Sequence, residues 1–377
     1  MIYLDYSATT PVNKEVLETF NHTSLDFPGN SNSLHKLGVE SKQLEMSATK
    51  QVANILGVNE KEIIYTSGSS ESNNLAIKGI CLKYQNRGKH IITTNLEHSS
   101  IYGPIGYLQR QGFTVDFVNT NENGIVDLNH LKTLMKDDTI LVTIASVNSE
   151  TGLRQPVEEI AKLVKEYPKC FFHVDMTQSI GKIEISLDNI DLISFSAHKF
   201  YGLKGIGVLI KREKIELEPL IHGGKSTTSY RSGTPALPLI VSLAKALRLA
   251  VQDIDIKYEH IKKLNLYLRE KLQEYKRVTV NANENTIYHM LNISVLDIKP
   301  ETMQHALENY DIYISTQSAC AAGNAVSKAV LELTKDEQRA SHSIRISLSS
   351  LTTIQEVDQF LNAFDECYQH LMLGKEE

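Results

Sequence analysis

The sequence has little that would mark a metal site, a disulfide framework, a membrane span or a nucleic-acid binder. Its four cysteines, Cys81, Cys170, Cys320 and Cys367, are scattered through 377 residues, and no two form a CxxC pair. The ligand spacing of a zinc site is therefore absent, and free thiols suit a reducing, cytoplasmic compartment. No apolar stretch approaches the roughly 20 residues of a membrane-spanning helix. The opening MIYLDYSATT has neither a basic start nor a long apolar core, so no signal peptide is expected. A net charge of −6, with no basic run that stands out from solvated helix faces, gives no reason to expect direct nucleic-acid binding. The GxxxxGK phosphate loop is missing, and there is no internal repeat or low-complexity tract.

What remains is a chain of globular composition, longer than one hydrophobic core usually grows, so two domains are expected. Strand-like and helix-like segments alternate. Apolar EIIYT (62–66), HIITT (90–94), FTVDFV (113–118), ILVTIAS (140–146), CFFHVD (170–175) and DLISFS (191–196) are separated by stretches with helical spacing. Residues 36–56 read as an amphipathic helix. This alternation predicts an α/β fold, a mainly parallel sheet flanked by helices. After Pro238 the pattern changes. Leu239, Leu243, Leu247 and Ala250 form one helical stripe, and Ile261, Leu264, Leu268 and Leu272 another. A boundary near residue 257 gives a large domain over 13–257. A smaller α+β domain over 258–377, with strand-like HMLNISVL and SIRISLS, is joined by residues 1–12.

In an open α/β sheet, ligands sit at the carboxyl ends of the strands. The polar residues ending these strands therefore form one candidate set. After EIIYT comes Ser67-Gly68-Ser69-Ser70, a glycine and hydroxyls at a helix start. That is an anion cradle, or an ordinary serine cap. After HIITT comes His98, able to stack on a flat ring and exchange protons. After ILVTIAS comes Asn148, a donor to a phenolate oxygen or a turn residue. Asp175 ends CFFHVD, with Gln178 following. A buried acid there calls for a partner such as a protonated ring nitrogen. DLISFS runs into Ser196-Ala197-His198-Lys199 and the glycines Gly202, Gly205 and Gly207. Burial of Lys199 would lower its pKa and make it a nucleophile able to form a Schiff base, while Ser196 and His198 could hold a phosphate. Each residue alone has an ordinary reading. Together they are the inventory for pyridoxal phosphate, which needs a lysine for its aldehyde and an acid at its ring nitrogen.

The motifs GNSNSLH (29–35), TSGSSESNNLAIKG (66–79), EHSS (97–100), NSETGLRQPV (148–157), HVDMTQSIGK (173–182), SAHKFYGLKGIG (196–207), RSGT (231–234) and SAC (318–320) resemble those of NifS/IscS-type cysteine desulfurases. These belong to the class V aminotransferase superfamily, and the resemblance runs from YLDYSATTPV to SIRISLSSLTT. It implies the aspartate-aminotransferase-like fold, a homodimer and bound pyridoxal 5′-phosphate. By that resemblance Lys199 bonds the cofactor, His98 stacks on it, and Asp175 pairs with its ring nitrogen. Asn148 and Gln178 lie near the phenolic oxygen. Ser69, Ser70, Ser196 and His198 hold the phosphate, and Thr234 reaches the phosphate of the partner subunit. Arg345, with Asn148, binds the substrate carboxylate, and Cys320 accepts sulfur. Cys320 lies in STQSACAAGNAV, a small, polar stretch suited to a loop thiol, whereas Cys81 and Cys170 have apolar neighbours.

The implied reaction converts L-cysteine to L-alanine and leaves a persulfide on Cys320. The sulfur then passes to an acceptor protein, an iron–sulfur scaffold or a tRNA-thiolating enzyme. Alternatives are another enzyme of this fold, an aminotransferase or a selenocysteine lyase, or a non-catalytic sulfur-relay scaffold. The chain departs from the family pattern at Met176-Thr177, Leu203, Lys225–Thr228 and Ser349-Ser350, the last where Gly-Arg is usual. No departure removes a residue with an implied catalytic role.

Overall fold

The computed structural model describes residues 1–224, 228–316 and 326–373. Strand β1 (Ile2–Tyr3) is followed by β2 (Ile63–Thr66), β3 (His90–Thr93), β4 (Thr114–Phe117), β5 (Thr139–Ala145), β6 (Phe171–Asp175), β7 (Leu192–Ser196) and β8 (Gly207–Lys211). The last seven of these form one sheet in the order β2-β8-β7-β6-β5-β3-β4. Only β8 runs against its neighbours; the other ladders are parallel. Every residue of β2, β3, β6 bar Phe171, β7 and β8 is buried, because helices cover both faces. That is why these strands read as continuous apolar runs and not as alternating ones. The fold matches the expected mainly parallel α/β architecture.

Strands β9 (Val278–Val280), β10 (Met290–Val295), β11 (Ile312–Tyr313) and β12 (Ser343–Ser347) follow. β9 and β12 flank β10 in an antiparallel sheet, and β11 pairs in parallel with β1. A separate apolar cluster gathers here, with Ile2 and Leu4 packed among Leu268, Ile293, Ile344, Phe360 and Phe364. Tyr313 O accepts from Leu4 N at 2.9 Å, and Leu4 O from Ser347 N at 2.7 Å. The chain's first residues are thereby stitched to its last third before residues 5–10 cross to the edge of the large sheet.

Two helical stripes read from the sequence are helices Leu237–Val251 and Ile254–Leu272, broken at Gln252-Asp253. Residue 257 lies in the first turn of the second. Helix Lys36–Leu56 ends where Gly57 takes a left-handed conformation, φ 64°. Helix Lys14–Asp26 had no sequence signal because it buries only Val16 and Thr23, too few for an apolar stripe.

Candidate active site

The parallel strands point their carboxyl ends to one edge of the large sheet. There a cavity of about 210 Å³ is lined by Ser69, Ser70, His98, Asn148, Asp175, Gln178, His198, Lys199 and Arg345, with Ser7, Ala8 and Thr177 closing it. Nine of the residues singled out in the sequence thus share one cavity. Ser196 does not line it: its hydroxyl sits behind Gly68 and donates to Ile206 O at 3.4 Å. Thr234 is exposed and outside the lining. Cys320 and Lys225–Thr227 lie outside the described residues.

Helix Ser69–Lys83 begins directly after β2 with Gly68 at its cap position, and no side chain caps it. Its first amides therefore keep hydrogen-bonding capacity beside Ser69 and Ser70, which an anion can take up. Gly207 makes this approach possible. A Cβ there would stand 2.6 Å from Gly68 Cα, so any larger residue would push β8 away from the cradle. His198 lies in the 3-10 turn Ala197–Lys199 after β7. Its Nδ1 is 3.1 Å from Thr9 Oγ1, and burial holds its pKa down to about 4. The ring is neutral at neutral pH. With Nδ1 accepting from Thr9, Nε2 carries the proton and can donate to a phosphate.

His98 caps helix Ser99–Gln109 through its ring, with Nδ1 accepting from Ser100 N. Nδ1 also lies 2.8 Å from Ser100 Oγ. Burial lowers the pKa of this ring, so it stays neutral with its proton on Nε2. Ser100 Oγ accepts from Asn73 Nδ2 at 2.9 Å, and the same amide donates to Asp175 Oδ2 at 2.8 Å. Asp175 Oδ1 accepts from Thr177 N. A buried carboxylate is thus held by two neutral donors, a setting completed by a cation at the cavity side. Asn73 and Ser100 carry no strand-end signal, and their partners are distant in sequence, which is why they were not singled out.

Lys199 Nζ donates to Ser7 O at 2.6 Å and Ala8 O at 2.7 Å. Ser7 O also accepts from Gln178 Nε2, and Gln178 Oε1 accepts from buried Lys182 Nζ. Asn148 is committed to its own loop. Its Oδ1 accepts from Glu150 N, Thr151 N and Thr151 Oγ1, while Nδ2 donates to Leu96 O, so one amide hydrogen remains for a ligand. Glu97, beside His98, is buried and its carboxyl is pushed up to about 8, chiefly by desolvation.

Arg345 on β12 is 1 % exposed. Nη2 donates to Asp5 Oδ1 at 2.7 Å and Nη1 to Ser149 O at 2.8 Å. Its Nε is buried without a partner, as is Thr177 Oγ1 in the same wall. Arg345 and Thr177 both line the cavity, and each keeps a polar atom without a protein partner. An uncapped helix start, a carboxylate awaiting a cation, a lysine amine and unpartnered polar atoms together fit pyridoxal phosphate with an amino-acid carboxylate beside it. Described residues on either side of Cys320 in the sequence bond to this site. Ser315 exchanges backbone bonds with Arg345, and Ser327 Oγ donates to Glu150 Oε2 at 2.6 Å.

Comparison with known proteins agrees with this geometry. The model of the family "aminotransferase class-V" matches residues 2–360. A cysteine desulfurase IscS of Buchnera aphidicola is 41% identical over 365 residues, covering 94% of this chain and 90% of the relative. The structure of a NifS-like protein superposes with a TM-score of 0.93 at 36% identity, covering 98% of this chain and 99% of that one. SspA in complex with cysteine superposes with a TM-score of 0.82 at 32% identity, over 94% of this chain and 100% of that one.

Proposed function

The chain belongs to the class-V aminotransferase family, and from that premise we propose that it is a pyridoxal-phosphate-dependent cysteine desulfurase that makes L-alanine and a persulfide on Cys320. The observation that carries this reading is the single cavity joining Lys199, Asp175 and His98 to the half-satisfied guanidinium of Arg345. Bound there, the cofactor supplies an electron sink for the charge that develops at the substrate Cα. Asp175 would pair with the ring nitrogen, and His198 Nε2, Ser69, Ser70 and the uncapped amides would hold the phosphate. Arg345, braced by Asp5, clamps the substrate carboxylate. Lys199, its amine held between the Ser7 and Ala8 carbonyls, takes the Cα proton and returns it. His98 Nε2 donates to or accepts from the substrate thiol.

Cys320 then attacks the substrate sulfur. The sulfur–carbon bond breaks, its electron pair goes to the carbon fragment that becomes alanine, and the sulfur stays on Cys320. The described cysteines do not suit this role. Cys81, Cys170 and Cys367 are buried, and burial raises all three thiols. Ser315 and Ser327, described residues on either side of the Cys320 stretch, bond to Arg345 and Glu150. A homodimer, with Thr234 serving the partner's phosphate, and a cytoplasmic sulfur acceptor in iron–sulfur assembly or tRNA thiolation complete the reading. Among the described residues no helix is long and apolar enough to cross a membrane.

The test is Cys320→Ser with [35S]cysteine. The variant is expected to keep bound cofactor and cysteine binding while losing labelled sulfur on the chain and alanine release. Serine cannot store sulfur as a persulfide. Label and alanine at the parent rate would move the reaction to a lyase route or to another thiol.

A further inference from the structure

Behind Lys199 lies a second cavity of about 200 Å³, between the amino-terminal segment and helices Leu237–Val251 and Ile254–Leu272. It shares only Ser7 and Lys199 with the site described above. Most of its wall is apolar, with Val12, Val16, Phe200, Leu249, Ile254 and Leu348. The mouth is marked by Val12 and Leu351, 36% and 58% exposed. Ser350, a small residue at a place where the chain departs from the family pattern, also lines it.

Tyrosines apart, the ionisable groups in this wall are all basic. Lys182, Lys199, Lys257 and His289 line the cavity with no aspartate or glutamate among them. Lys257 is occupied, donating to the last carbonyls of the preceding helix, and Lys199 serves Ser7 and Ala8. Lys182 and His289 are not so compensated. Lys182 is buried, and its amine meets Gln178 Oε1. His289 is more than nine-tenths buried, and its Nδ1 has no partner. A carboxylate here would meet two buried nitrogen bases with no acid competing for them, and its charge would favour the protonated amine. A cavity of about 150 Å³ is enough to hold benzene.

We propose that this cavity binds a small monocarboxylate with an apolar body, about the size of benzoate, its carboxylate against Lys182 and His289 and its body among the apolar residues. The groups that face Lys182 are Lys199 and Arg345, whose charges add to burial in lowering its pKa, and His289, itself held down to about 3 by burial and Lys182. Tyr6, Tyr201 and Lys257 are the remaining titratable residues of the wall. Burial and those charges thus oppose the ammonium form of Lys182, and a carboxylate beside it favours that form, so binding draws protons onto the site. Hydrogen bonds link Lys182 through Gln178 and Ser7 O to Lys199. This inference stands independently of the desulfurase reading.

The experiment is titration calorimetry of the cofactor-loaded protein with benzoate, in two buffers of different ionisation enthalpy. One site per chain is expected, saturating at or below about 10 mM, with proton uptake. Lys182→Met should weaken binding about tenfold or more, the loss of a charge-assisted contact. Val12→Trp, which obstructs the mouth without touching the basic pair, should do the same and covers the case of a misfolded Lys182 variant. Arg345→Lys should leave binding in place. Benzoate lost in Arg345→Lys but kept in Lys182→Met would put it on the substrate clamp and overturn the proposal. No saturable binding, or binding unchanged in all three variants, would overturn it equally.

Discussion

Arg345→Lys tests the substrate clamp most directly, because the charge is kept and only the geometry is lost. In the parent, one guanidinium performs three tasks. Nη2 holds Asp5 at 2.7 Å, Nη1 holds Ser149 O at 2.8 Å, and the side chain lines the cavity with N–H groups left over for a carboxylate. An ammonium is a point charge on a shorter reach and cannot serve Asp5, Ser149 and a carboxylate at once. Asp5, held by a bridge to Ser347 of β12, competes for it. The substrate then loses one or two charge-assisted hydrogen bonds, each worth about 1.5–3 kcal/mol. The expected result is a rise in KM for cysteine of at least about tenfold, since about 1.4 kcal/mol is a factor of ten. Alanine formation against cysteine concentration measures it, with kcat reporting separately on the chemistry. Asp5→Asn should raise KM less, because the fork remains but is less firmly held. The two effects should be strongly non-additive, since both act on one contact. An unchanged KM in Arg345→Lys would place the carboxylate site elsewhere.

Lys199→Ala should abolish alanine formation, and borohydride should no longer fix cofactor to the chain; label appearing on a different lysine would reject Lys199. Asn73→Ala removes the amide that ties Ser100, and through it His98, to Asp175. It should weaken cofactor affinity about tenfold or more, the loss of one hydrogen bond to a charged group, as read by fluorescence titration of the cofactor-free protein, and unchanged affinity would show that Asp175 needs no such brace. Glu97 has its folded pKa raised to about 8 from an unfolded value of about 4.3, so the folded state holds a proton that the unfolded chain releases between those pH values. Its contribution to stability is therefore full below about pH 4.3 and lost as pH rises to 8. Glu97→Gln cannot titrate, and its melting temperature should fall less between pH 5 and 8 than the parent's, as scanning calorimetry would show; parallel curves would mean that Glu97 ionises normally.

The sequence by itself determined the sheet and the strand-end inventory. Buried parallel strands must be apolar on both faces, so their positions are visible as runs, and the residue ending each run is where a ligand meets the sheet. Lys199, Asp175, His98 and Asn148 could be grouped for that reason, and Arg345 joined them through the motif resemblance; the structure brings these five to one cavity. Only the tertiary structure decided what stands behind them. Asn73 meets Asp175 across 102 positions and Asp5 meets Arg345 across 340, so no local pattern could announce either pair. The commitment of Asn148 to its own turn, the place of Ser196 behind Gly68, and the placing of Lys182 and His289 in one cavity are likewise facts of packing. Local periodicity records which face of an element is buried. It does not record which distant polar group is buried against it, and that pairing sets the protonation and orientation of every group in the site.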